Sequence, residues 1–215
     1  MTPMNLERAY MMLGALYSLL LILGVIALMV GGGSAMVVIQ VAVGALAVAG
    51  LWGYALNKGV MNPRIWRPLA MFLAAGAIIQ ALLLLTTSPS HAQITQLLIG
   101  IVFSALLISI LYQYGDRDQD LWATSEEIQD GEQLEAMLSR HGELTVNKQV
   151  YGLEATVHVA RDGDQYRAHV VRERDGNREE FEERFACPST LAFFMDKYTC
   201  ITVDDVREAY ADATA

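Results

Sequence analysis

NKGVMNPRIWR, residues 57–67, contains Lys58, Arg64 and Arg67, and these are all the formal charges between Ala9 and Gln113. A stretch that long with so little charge belongs in hydrocarbon, where a central Lys, Arg or Asp costs about 2.5–3.5 kcal/mol on insertion scales. Outward from this segment lie two apolar runs on each side, residues 10–30 and 36–56 before it and 69–85 and 94–112 after it. Each is near the length of about 17–25 residues needed to cross a bilayer core. The connections Gly31-Gly32-Gly33-Ser34 and Thr86 to His91 carry no charge. By the positive-inside rule the cationic loop is cytoplasmic, the two neutral loops face the other side, and both termini are cytoplasmic. Arg8 agrees with this, and Trp52, Tyr54, Trp66, Tyr112 and Tyr114 are expected as an inner aromatic belt. A cleaved signal peptide ending near Gly31 competes with the first span, but the apolar stretch is longer than the usual h-region of about 7–15 residues.

The reading is therefore a membrane all-α four-helix bundle, residues 1–114. Its spans contain no ionisable group of the kind that proton relays and substrate pathways use, which counts against transport. Gln40 and Gln80 fall at similar depth, and an interhelical hydrogen bond between them is expected. Small residues recur at four-residue spacing, as Ala45, Ala49 and Gly53, and as Ala70 and Ala74 with Ala77 and Ala81, allowing close backbone approach. Gly50-Leu-Trp-Gly-Tyr-Ala-Leu-Asn-Lys58, with Trp66 after it, resembles a segment of small four-helix bacterial inner-membrane proteins whose activity is uncharacterised. The resemblance covers about residues 50–66, implies that location, and carries no activity over.

Of the 24 acids, 23 lie from Asp116 onward, with Glu7 alone before it, whereas 11 of the 15 Lys and Arg residues lie there. The resulting net charge of −12 argues against nucleic-acid binding, which depends on cations that displace counterions. Residues 115–124 read as an acidic juxtamembrane linker, a solvated collar whose Asp116, Asp118 and Asp120 are electrostatic neighbours for Lys58, Arg64 and Arg67. The same acids with Glu127 match positions 1, 3, 5 and 12 of a calcium-binding EF-hand loop, but Leu121 occupies the position where that loop needs glycine. Helix capping by Thr124 or Ser125, with Glu126 and Glu127 in the first turn, accounts for the same letters.

From residue 125 to 215 the pattern is that of a small soluble α+β domain: a helix, a three-stranded antiparallel meander and two helices. Ile128, Leu134, Met137 and Leu138 place an apolar stripe on a helix that His141-Gly142 ends. Leu153, Ala155, Val157 and Val159 alternate with Glu154, Thr156 and His158, as in a strand. Asp162-Gly163 is read as the following turn, setting Val159 opposite Tyr166 and Val157 opposite Ala168. Asp175-Gly176 repeats the device, with Val170 opposite Phe181 and Glu173 opposite Arg178. Residues 178–186 fit a strand or a helix, because Asn177 to Glu180 is also a capping box. Pro188 opens a helix bearing Leu191, Phe194, Met195 and Tyr198, and Thr202 to Asp205 caps the last one.

Cys187 and Cys200 read as reduced thiols, small hydrophobes in the core. No acid-oriented histidine is paired with either in the pattern, no zinc spacing occurs, and Gly31-Gly32-Gly33 is not followed by the lysine of a phosphate loop. No catalytic residue, cofactor or metal is assigned. Thr156, His158, Arg167, His169 and Glu182 share the polar face of the meander and form the candidate partner surface. The function this supports is a non-enzymatic membrane protein that presents its acidic domain to a protein partner or a second copy of itself, with an immunity-type protein as one version. The alternative is a small transporter or channel subunit with a cytoplasmic gating domain, and a third is an enzyme that uses Cys187 or Cys200.

Overall fold

The computed structural model describes residues 3–86, 90–174 and 176–211. The chain divides into two compact units, Met1–Asp116 and Arg117–Ala215.

The first unit holds α1 (Pro3–Gly31), α2 (Ala35–Ala55), α3 (Trp66–Thr86) and α4 (His91–Tyr114). All four are long and apolar enough to cross a membrane. The capping box of Ser90 with Gln93 starts α4 and satisfies amide groups that the helix leaves open. α1 packs on α2, α2 on α4, and α4 on α3. Burial is concentrated at one end: the buried residues of α2 run from Ala47 to Ala55, those of α3 from Trp66 to Ala70, and those of α4 from Leu107 to Tyr114. Gly50 makes this packing feasible, since a Cβ there would come within 2.5 Å of both Leu111 and Trp66. In lipid, where apolar burial drives little association, such close approach is the main source of helix adhesion. Ala45, expected at a packing seam, is exposed.

Trp66 and Tyr114 are fully buried and form a plug in place of the aromatic belt expected of them. Their rings lie 5.1 Å apart, and Trp66 Nε1 donates to the Val60 carbonyl at 3.1 Å. The Tyr114 hydroxyl donates to the Lys58 carbonyl and accepts from the Val60 amide, both at 2.7 Å. The loop thus returns its backbone polar groups to side chains of the bundle.

The second unit begins with a 3-10 turn, Asp120–Trp122, and α5 (Ser125–His141), which the Thr124–Glu127 capping box opens. β1 (Glu143–Val150), β2 (Leu153–Asp162), β3 (Gln165–Arg174) and β4 (Asn177–Phe185) follow, then α6 (Pro188–Thr199) and α7 (Val203–Ala211). The sheet has four antiparallel strands in the order β1-β2-β3-β4 and not the three expected. β1 carries Leu144 and Val146 into the core, and its turn to β2 sets both Tyr151 (φ 47°) and Gly152 (φ 81°) in the left-handed region. That backbone is a type I′ hairpin, whose usual first residue is Asn, Asp or Gly. Tyr151 hides the signal.

The β2–β3 register is two residues from the expected one, with Val159 opposite Ala168 and Val157 opposite Val170. Glycine sits at the first central position of the turn, Gly163-Asp164, as a type II′ hairpin requires, so Asp162 remains in the strand. A shift of two keeps every side chain on its expected face. The β3–β4 register has Val170 opposite Phe181 and Glu173 opposite Arg178, as expected, and residues 178–185 are strand. Asp175 lies outside the described residues.

All three helices pack on one face of this sheet, around Leu134, Val157, Val170, Leu191, Met195 and Val206. α5 and α6 cross so closely at Gly131 that a Cβ there would sit 2.6 Å from the Ser189 amide nitrogen. Asp205 ties α7 to β1, meeting Lys148 Nζ at 2.6 Å and accepting from the Thr202 amide at 2.7 Å. Burial opposes ionisation of Asp205, but these bonds outweigh it and hold the carboxyl below its ordinary value.

Removing the Tyr114 hydroxyl leaves two loop groups without their partner, so Tyr114→Phe is expected to destabilise the bundle by about 1–3 kcal/mol. It should also speed tryptic cleavage after Lys58 in detergent; a variant with the wild-type melting point and cleavage rate would contradict this plug.

Candidate functional site

Among the described residues of the second unit, no helix packs on the outer face of the sheet, and the candidate surface forms there. His158 and His169 are direct partners across β2 and β3, and Glu182 is the partner of His169 on β4. Thr156 and Arg167 lie two positions along the same face, so the five residues expected together are brought together. β1 adds two groups that were not foreseen, because its strand was not. Thr145 Oγ1 lies 2.8 Å from His158 Nδ1, and Glu143 Oε2 lies 3.5 Å from His158 Nε2. His169 Nε2 meets Glu180 Oε1 at 3.0 Å. The alternation of Leu144 and Val146 with Thr145 and Asn147 was the signal that would have supplied these residues.

The calcium set is not assembled. Asp116 pairs with Arg67 at 2.9 Å within the first unit, an exposed contact of small energetic weight. Asp118 accepts from the amides of Ala186 and Cys187, Asp120 accepts from the Cys187 thiol and the Ser189 hydroxyl, and Glu127 closes the Thr124 capping box. Asp116, the pair Asp118 and Asp120, and Glu127 thus serve three different local purposes. Among the described residues, no group of three or more His, Cys, Asp or Glu side chains is arranged to hold a metal ion. Residues from Arg117 group with the second unit, where Asp118 and the exposed Asp120 fasten them to the start of α6.

The Gln40–Gln80 contact does not form. Among the described residues, the buried Gln80 side-chain oxygen has no hydrogen-bond partner; it sits beside Gly100, 3.0 Å from where a Cβ on that glycine would lie. Gln40 instead borders an apolar groove between α1 and α2, together with Leu21, Gly24, Val41 and Gly44. Similar depth put the two glutamines on the same level, but α2 packs mainly on α1 and α4, and its close approach to α3 is between Gly50 and Trp66, far along the helices from Gln80.

The cysteines differ from each other. Cys200 is exposed, with its backbone left-handed at φ 56° where α6 ends, and is not the core residue expected. Cys187 is buried, its sulfur 2.7 Å from Asp120 Oδ1 and 3.1 Å from Ser189 Oγ. Burial pushes the Cys187 thiol up, and the neighbouring Asp120 carboxylate adds to this against an opposing contribution from Ser189. Such a thiol is a poor nucleophile, because the reactive form is the thiolate. Compared with known proteins, the chain matches no family model, no curated protein and no solved structure.

A thiol whose proton is held more tightly in the fold stabilises fully below its ordinary value of 9.0, and that stability is lost as pH rises through the raised value. Thermal unfolding of the full chain in detergent should therefore weaken above pH 9.0, and Cys187→Ala should flatten the decline. An identical slope in both proteins would contradict the placement of this thiol.

Proposed function

We propose that this chain is a non-enzymatic protein of a bacterial inner membrane, anchored by its four helices with both termini in the cytoplasm, and that its acidic unit docks a basic protein partner on the open sheet face. The observation that carries the reading is the bareness of that face: α5, α6 and α7 all lie on the other side. A soluble sheet commonly leaves one side wet, so the charge pattern supplies the rest. Glu143, Glu154, Asp162, Glu173, Glu180 and Glu182 fall on the outer face against Arg167, Arg178 and Arg184. Complementary charge steers a cationic partner to such a surface and rejects an anionic one. The cytoplasmic assignment draws on Lys58, Arg64 and Arg67 in the α2–α3 loop. The inner-membrane assignment draws on the resemblance of residues 50–66. The non-enzymatic assignment draws support from the protonated, acid-bonded state of Cys187.

A photo-crosslinking residue in place of His169, in the full chain in its native membrane, tests this against the same residue in place of the exposed Phe193 on α6. The expected result is an adduct with one protein at position 169 and none at 193, reduced about tenfold by Glu180→Lys with Glu182→Lys and by high salt. Equal adducts at both positions, or an adduct indifferent to the charge reversal, would reject the docking face.

A further inference from the structure

The hairpin of α1 and α2 carries a trough along its seam. Its floor lies where the two helices come close: a Cβ on Gly24 would be 3.9 Å from Val41, and one on Gly44 would be 3.7 Å from Leu21. The two missing side chains open a space of about 500 Å3. On α2 it runs from Val37 to Val48, about three turns or 16 Å of helix. Val48, Tyr17 of α1 and Leu107 of α4, all buried, line one end, and Gly32 stands at the other, beside the connection to α2.

The lining is apolar apart from two side chains, and only one of these has its polar group to offer. Tyr17 donates its hydroxyl to the Phe103 carbonyl. Gln40 is exposed, and among the described residues its amide has no hydrogen-bond partner. It is also the only side chain from Ala35 to Leu51 able to make a hydrogen bond. Its Cα lies about 8 Å inside the start of α2, where an amide left bare in hydrocarbon is costly. The Cα–Cβ bond of a helical residue tilts toward the helix N-terminus, which carries this amide toward the Gly32 end of the trough.

The shape and the placement of the amide select the occupant. A helix with its side chains is about 10–12 Å across and would lie over such a trough, whereas an extended hydrocarbon chain lies in it. An esterified acyl chain has its polar acceptor at one end only, as the trough has its free donor toward one end only. We infer that this trough holds one acyl chain of a membrane phospholipid, with the Gln40 amide donating to the ester carbonyl at the head of that chain. The lipid comes from the leaflet on the side of the Gly31–Ser34 connection, and the site does not depend on the sheet face of the second unit.

The full chain, purified in detergent and stripped of lipid, is given dipalmitoyl phosphatidylethanolamine or its dialkyl ether analogue and read by native mass spectrometry. One ester lipid per chain is expected, bound about fivefold more tightly than the ether, which lacks the carbonyl. Gln40→Leu should remove that preference. Ala27→Phe, at an exposed position lining the trough, should weaken both lipids about tenfold or more, and Ala42→Phe, exposed outside it, should change neither. No retained lipid, equal binding of ester and ether by the wild-type chain, or equal losses in the two phenylalanine variants overturns the site. A mass of two chains that Ala27→Phe abolishes identifies a second copy as the occupant and overturns the lipid. The wild-type comparison of ester with ether stands even if a variant fails to fold.

Discussion

The membrane unit depends on what receives the backbone of the α2–α3 loop. A loop leaving hydrocarbon cannot keep bare amides and carbonyls, and here one phenol and one indole take them. Tyr114 bridges Lys58 and Val60, and Trp66 reaches Val60 from the other side. Both rings fit because Gly50 offers no side chain at the crossing. Helix contact, loop shape and the position of three cations are therefore one arrangement. Packing elsewhere in the unit is loose by comparison, since the buried residues of α2, α3 and α4 gather at this end.

In the second unit the corresponding constraint is the crossing of α5 and α6 at Gly131, which fixes the helix layer over the sheet. The segment before α5 is held to α6 by Asp118 and Asp120, each accepting two hydrogen bonds from residues 186–189. A helix N-terminus is a natural place for carboxylates, because its amides and dipole favour negative charge. With its helices on one side, the sheet leaves its outer face uncovered by them.

The four spans were legible because hydrocarbon excludes charge whatever the tertiary arrangement. Helix starts at Thr124 and Thr202 were legible as well, since a capping box is written in adjacent residues. What sequence could not supply was pairing between distant elements. Gln40 and Gln80 share a depth, but α2 packs on α4 and the contact is lost. Trp66 and Tyr114 have the composition of a belt and the surroundings of a core. β1 was missed because Tyr151 stands where a type I′ turn usually has Asn or Asp, and with it went Glu143 and Thr145 of the candidate surface. Phe181 and Phe185 left β4 ambiguous, because a spacing of four serves both a strand face and a helix face. The candidate surface itself survived the two-residue change in the β2–β3 register, since such a shift preserves faces.

In the proposed function the cationic loop and the acidic unit share the cytoplasmic side of the membrane, which is what makes the open sheet face available to a cytoplasmic partner. Labelling of Cys200 with a membrane-impermeant maleimide, compared between intact cells and inverted membrane vesicles, tests this most directly. A cytoplasmic Cys200 is expected to be labelled in inverted vesicles and not in intact cells. Labelling of Cys200 in intact cells would contradict it.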